Sequence, residues 1–263
     1  MIRLRYRFHR STLTQEISLF PGSRRLDFAT EADWDETEKT LRTDFPLAVL
    51  TPYAAFDVAH GATLRPTHRN TSWDEARFEV AAHKWADLSE GDFGVALLND
   101  CKYGYSALDN VLSLTLLRSP NCPDRKSDHG HHEFTYSLYP HAGSWQTGGV
   151  SAEAFALNFP PVVTAGAGGE LPAEGSWLDF SGADDIQLDC LKPAEEQNGV
   201  ILRVYETSQR RGRVRARCAF PLTAVSELDL LERPDDFGGD PRLTEDGFSF
   251  EIGPFEVKTF LLR

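Results

Sequence analysis

The 263 residues carry 40 acidic against 27 basic side chains, a formal net charge of −13, which argues against nucleic acid or an anionic membrane surface as the main partner. A chain this long can bury a sizeable core as one large β domain or a domain and a half, and no apolar run approaches the about 20 residues that span a bilayer. Aromatics at 11% suit strands and carbohydrate contact equally and do not separate the two. The four cysteines, Cys101, Cys122, Cys190 and Cys218, have irregular spacing and no C-x-x-C, so neither a zinc knuckle nor a thioredoxin-like motif is present. A chain of this size does not need disulfide staples, and reduced thiols in a cytoplasmic protein are the favoured reading.

In chain order, Ile2, Leu4, Tyr6 and Phe8 alternate with Arg3, Arg5, Arg7 and His9, the pattern of a half-buried strand and not of a signal peptide. A chain that opens inside a strand reads as the C-terminal part of a longer polypeptide. Residues 3–28 read as an antiparallel meander of three strands. Asp27, Glu31, Asp33 and Asp35 then surround Trp34. This stretch is either a solvated loop anchored by one indole or a sugar-holding pair of acid and aromatic ring, the ring covering C–H bonds and the acid accepting from hydroxyls. Further strands are expected at 40–45 and 53–60. Residues 65–74 have no period and many turn formers, so they form a loop of functional length. Arg65, His68, Asn70, Trp73 and Asp74 within it are expected at an interface with another domain or on a ligand.

Residues 78–85 alternate as a strand, with His83 expected to be a satisfied, half-buried histidine. Residues 94–98 suit a central strand, and Lys102 and Tyr103 project from the glycine-bearing turn that follows. Residues 111–117 read as a buried strand whose exit is the most polar stretch of the chain, made rigid by prolines. His129, His131 and His132 follow Asp128 there. On a strand only His129 and His131 would share a face, so a hydrogen-bonding cluster that fixes the loop is favoured over a metal site. After a third strand at 133–139, a short helix is expected at 152–159, stopped by Pro160 and Pro161. Residues 164–175 are rich in small residues and read as a linker or hairpin loop, which divides the chain into a main β-sandwich over 1–165 and the remaining strands with a small C-terminal β domain over 166–263. In the second part strands are expected at 186–190, 199–206, 213–220, 247–252 and 255–262, with an acidic structural loop at 232–246. So many short alternating runs with little helix predict a mainly β protein built from sandwiched antiparallel sheets.

The stretches LLNDCKYGYS and LLRSPNCPDRKSDHGHHEFTYSLYPHAGSW, with DFATEADWDE and RPTHRNTSWDEARFEVAAHKWADLSE upstream, closely resemble the C-terminal region of the glycoside hydrolase family 38 α-mannosidases, in particular the cytosolic and bacterial-type branch. The resemblance is strong through about Pro160 and thins beyond. It implies a large antiparallel β-sandwich, a galactose-mutarotase-like supersandwich, followed by a smaller C-terminal β-sandwich unit. It also implies retaining hydrolysis of terminal α-mannosides of oligosaccharides, in which one Asp is nucleophile and zinc ligand and a second Asp is acid and base.

In the resembled family those groups come from an N-terminal α/β barrel whose metal motif opens with His-x-Asp. No histidine in this chain is followed two residues later by Asp. The resemblance therefore assigns no catalytic residue and no metal ligand here, and puts zinc in the catalytic domain. The implied partners are that barrel, in the same polypeptide, and a mannose-containing oligosaccharide, with a homo-oligomer left open. Lys102, Tyr103, Arg118, Asp128 and His131 are the candidates for lining the sugar pocket. Arg118 and Asp128 lead, because guanidinium and carboxylate groups can bond two vicinal hydroxyls at once; the competing reading pairs these two with each other to hold the loop. Two other classes stay in view. A stand-alone mutarotase-like epimerase would need His83 or His131 as acid with Glu79 or Glu133 as base, and a protein-interaction module would use the same polar loops on a partner.

Overall fold

The period-2 alternation at the start of the chain produces the expected meander: β1 (Ile2–Phe8), β2 (Ser11–Leu19) and β3 (Leu26–Trp34), each antiparallel to the next. In this computed structural model residues 1–166, 174–183, 185–234 and 238–263 are described. They fall into two compact units, Met1–Pro161 and Val162–Arg263.

In the first unit the meander is followed by β4 (Thr40–Pro46), β5 (Tyr53–Val58), β6 (Gly61–Pro66), the single-turn helix α1 (Ser72–Glu75), β7 (Val80–Ala81), β8 (Trp85–Ser89), β9 (Phe93–Asn99), β10 (Gly104–Leu108), β11 (Val111–Arg118), β12 (Gly130–Ala142) and α2 (Val150–Asn158). Eight strands form one sheet in the order β1-β2-β3-β12-β9-β8-β5-β6, and four form a second in the order β4-β11-β10-β7. Phe28, Trp34, Phe56, Leu97 and Tyr136 of the large sheet share one buried cluster with Tyr105, Leu112, Leu114, Leu116 and Leu117 of the small one. Phe28 stacks on Tyr136 at 5.0 Å and meets Phe45 of the other sheet at 5.8 Å. The protein is mainly β, with sandwiched antiparallel sheets.

Several expectations are corrected by this packing. Residues 27–34 are not a loop: the alternation runs on to the end of β3, burying Ala32 and Trp34 and exposing Glu31 and Asp33. The Trp34 side chain belongs to the core at 4% exposure, with Phe8 edge-on at 5.6 Å and Nε1 donating to Ser119 Oγ at 2.5 Å, so it has no free face for a sugar. The strand expected over 78–85 shrinks to the two residues of β7. Beyond it the His83 N–H donates to the Asp57 carbonyl and Ala82 N to the Tyr103 carbonyl, and the His83 side chain is exposed instead of half-buried. The turn at His60, left-handed at φ 56°, returns the chain as β6, which the alternation did not reveal.

β11 holds the irregularity that matters most. Its register against β4 shifts between Thr115 and Leu117, a bulge that lets Leu116 and Leu117 both face the core at 5% and 4% exposure. Without the extra residue Arg118 would follow the alternation inward. With it, Arg118 emerges on the same outer face as Thr115.

A buried polar lock ties β8, β12 and the turn before α2. His141 Nε2 donates to Asp87 Oδ2 at 2.8 Å with both side chains at most 1% exposed, and Ser89 Oγ donates to the other Asp87 oxygen. Gly94 and Gly148 lie flat against the imidazole.

The second unit comprises β13 (Leu178–Ser181), β14 (Ile186–Pro193), β15 (Val200–Glu206), β16 (Gly212–Cys218), β17 (Val225–Leu228), β18 (Arg242–Thr244), β19 (Gly247–Ile252) and β20 (Val257–Leu262). They form two four-stranded antiparallel sheets, β13-β16-β19-β18 and β14-β15-β20-β17, around Leu202, Val204, Val214, Phe248, Phe250 and Phe260. The five expected strands are all present. β13, β17 and β18 are additions, three or four residues long and largely unburied, too short for an alternating signal. β18 lies inside the expected 232–246 loop, whose residues 235–237 fall outside the described residues, as do residues 167–173 of the expected linker.

Candidate functional site

The outer face of the small sheet and the 65–80 segment enclose an open cleft of about 560 Å³, within the range of small-molecule sites. Thr40 and Arg42 reach it from β4, Ser106 to Leu108 from β10, and Thr115 and Arg118 from β11 across the bulge; Arg65, Pro66, His68, Arg69, Asp74, Arg77, Phe78, Glu79 and Val80 close the other wall. The short helix α1 braces that wall: Thr71 Oγ1 accepts from Asp74 N at 3.1 Å and donates to Asp74 Oδ2 at 2.7 Å.

Of the residues singled out by sequence, the cleft gathers Arg118, Arg65, His68 and Asp74. The Arg65 guanidinium lies over the Phe56 ring at 4.7 Å and donates to the Ala81 carbonyl at 3.0 Å, while its Nη1 is sealed from solvent with no partner. Burial first, and then the Arg77 charge, pull the Arg65 pKa below its ordinary value. His68 Nδ1 is likewise unpaired, standing 4.0 Å from Asp74 Oδ2. Asn70 and Trp73 do not line the cleft; Trp73 stands 76% exposed.

The other candidates lie elsewhere. Asp128, left-handed at φ 61°, accepts the backbone N–H of Arg118 at 3.0 Å. The two residues do meet, but through the main chain: the carboxylate holds the loop by the Arg118 N–H and leaves the guanidinium to the cleft. Lys102 caps the Phe134 ring at 4.3 Å. Tyr103, 62% exposed, meets the edge of His83 at 5.8 Å. His131 Nδ1 lies 2.9 Å from Asp33 and Nε2 3.2 Å from Glu133, and those two carboxylates raise its pKa, Asp33 foremost.

The three histidines diverge: His129 faces Asp35 at 3.0 Å and His132 the Asp128 carbonyl at 2.8 Å. The acidic end of β3 and the histidines beside it are thus a cross-strand zipper. Among the described residues no group of three or more His, Cys, Asp or Glu side chains is placed to hold a metal ion. The His131–Glu133 pair is exposed on this strand face and is not enclosed by the cleft.

A residue the sequence reading passed over organises the 99–106 turn. Asn99, 1% exposed, accepts from Cys101 N at 2.8 Å and from Lys102 N, and donates to Tyr105 Oη at 2.6 Å and the His83 carbonyl at 2.9 Å. All four of the bonding directions of its amide are used, which makes it a fixed post for Lys102 and Tyr103.

Comparison with known proteins adds the lineage. Residues 1–126 match the glycosyl hydrolases family 38 C-terminal domain and residues 185–260 the glycosyl hydrolases family 38 C-terminal beta sandwich domain. The chain is 43% identical over 256 residues to alpha-mannosidase 2C1 of Homo sapiens, covering 96% of this chain and 24% of that protein. It is 39% identical over 259 residues to alpha-mannosidase G of Dictyostelium discoideum, covering 95% of this chain and 23% of that protein. The chain therefore spans about a quarter of the length of the curated relatives it matches. The crystal structure of an alpha-mannosidase from Enterococcus faecalis V583 shares the fold, with a TM-score of 0.79 at 19% identity over 96% of this chain and 29% of that one. By both family matches and by its relatives, the chain belongs to glycoside hydrolase family 38 and carries the C-terminal domains of its α-mannosidases.

Proposed function

We propose that this chain is the supporting and substrate-facing part of a retaining α-mannosidase that hydrolyses terminal α-mannosides of oligosaccharides. It binds carbohydrate in the cleft and scaffolds a catalytic α/β barrel carried in the same polypeptide. The observation that carries this reading is an open polar cleft in a chain only about a quarter as long as its α-mannosidase relatives. Guanidinium groups donate paired N–H bonds to vicinal hydroxyls, and the exposed Phe78 ring offers a face for sugar C–H bonds.

The residues present do not fit the zinc that the family resemblance implies, since no metal-holding group forms among the described residues; zinc and the reacting carboxylates belong to the barrel in this reading. The four unpaired cysteines support a cytoplasmic setting. No helix among the described residues is long and apolar enough to cross a membrane.

The test assays an aryl α-mannoside with the whole polypeptide and with the 263-residue chain. Zinc-dependent turnover is expected of the first and none of the second. Turnover by the 263-residue chain alone sinks the proposal. In the whole polypeptide Arg118→Ala is expected to raise KM about tenfold, the worth of a hydrogen bond to a charged donor.

A further inference from the structure

The cleft carries a charge imbalance that neutral hydroxyls do not require. Five arginines line it, Arg42, Arg65, Arg69, Arg77 and Arg118, against the carboxylates of Asp74 and Glu79, in a chain whose overall formal charge is −13. The two carboxylates are already committed: Asp74 to Thr71 and Glu79 to the Thr115 hydroxyl. Arg42 is matched by Asp44 at 2.7 Å, but Arg77 reaches Asp74 only at 3.9 Å.

Arg69 rests against the Phe78 ring at 5.8 Å. The structure gives Arg118 no side-chain ion pair or hydrogen bond among the described residues, only the backbone bond to Asp128. The sealed, partnerless Arg65 Nη1 sits in the same wall. Gathering like charges is unfavourable unless an opposite charge joins them.

We propose that the cleft is an oxyanion site that takes the phosphoryl or carboxylate group of an anionic mannoside. Arg69 and Arg118 grip the anion, while Arg65 and Arg77 supply field behind them. The sugar part of this assignment rests on the mannosidase reading above; the anion part rests on the arginines alone. Guanidinium forks match phosphate and carboxylate geometry bidentately, and a cleft of net positive charge on an acidic protein concentrates anions locally.

The experiment is calorimetric titration of the 263-residue chain with inorganic phosphate, mannose 6-phosphate, a mannosyl carboxylate and neutral methyl α-mannoside. The anionic ligands are expected to bind at least tenfold more tightly than the neutral mannoside, and to weaken as salt is raised. The tighter of the phosphate and carboxylate arms names the preferred group. Arg69→Ala and Arg118→Ala should each lower anion affinity by about tenfold, with Arg118→Lys keeping part of it, because the charge stays and the fork is lost. Both arginines are exposed, and unchanged thermal melting verifies that the variants fold.

Equal affinity for neutral and anionic ligands overturns the proposal, as does anion binding that survives the double alanine variant. In the whole polypeptide the same preference should appear as a kcat/KM ratio favouring the charged mannoside. Anion binding without any mannosidase activity would remove the mannosidase reading and leave the site; activity with no charge preference would do the reverse.

Discussion

Replacing Gly148 with alanine probes the lock that joins β8 and β12. Gly148 has no left-handed backbone to account for the missing side chain; the constraint is the His141 ring. An added Cβ would stand 2.5 Å from His141 Cγ and 2.9 Å from its Cβ, and closer still to Nδ1. Overpacking of this kind costs about 1–3 kcal/mol by itself. If the ring yields, it breaks its 2.8 Å bond to Asp87 and strands a carboxylate that is 1% exposed, a loss of about 3–5 kcal/mol. Gly148→Ala should therefore destabilise the protein by about 3 kcal/mol, between the two limits.

The decisive measurement is a double-mutant cycle by urea denaturation. His141→Ala removes the ring but keeps its Cβ, 2.9 Å from the added methyl, so in that background Gly148→Ala should cost only about 1 kcal/mol, a coupling of about 2 kcal/mol. Additive effects, or a Gly148→Ala variant as stable as the parent, would show that the imidazole does not police this position.

Trp34→Phe should cost about 1–3 kcal/mol, because Ser119 Oγ loses its partner in the core, and should leave sugar affinity untouched; a selective loss of affinity would contradict the buried assignment. His131 should titrate above the ordinary histidine value, since Asp33 and then Glu133 favour its protonated form. Its contribution to stability is thus complete below the unfolded value of about 6.5 and fades as pH climbs through the raised folded value. An NMR titration placing it at or below the ordinary value refutes this. Trp73 and Phe78 are 76% and 70% exposed, so a Trp73→Ala, Phe78→Ala variant should melt within about 0.5 kcal/mol of the parent yet associate more weakly with a separately expressed barrel domain. Unimpaired association would take the 65–80 wall out of the interface.

Where alternation was regular, as in β1, β2 and β19, the strands could be read directly from the sequence, whereas β3 was read only as far as Phe28. β7, β13, β17 and β18 were illegible because two to four residues do not establish a period. Trp34 was misread because an indole beside acids looks like a surface device until strand pairing shows which face it occupies. Arg118 was chosen for its chemistry, but its place in the cleft depends on the bulge, whose only trace in sequence is the doubled Leu116–Leu117 interrupting the alternation. The cleft itself combines residues from 40–42, 65–80 and 106–118, so its membership depends on sheet order, which no local pattern encodes. Asn99 escaped notice because a buried amide that satisfies four groups has the same letter as a solvated turn residue.

The long strand β12 has a mechanical consequence. Its residues from Gly130 to Leu138 pair with β3, and those from Tyr136 to Ala142 pair with β9, so only Tyr136, Ser137 and Leu138 have a strand partner on both sides. The eight-stranded sheet is in effect two panels riveted through a three-residue overlap. Amide protons in that overlap should exchange with solvent only on global unfolding, whereas the β1-β2-β3 panel can open as a separate cooperative block and lose its protection first.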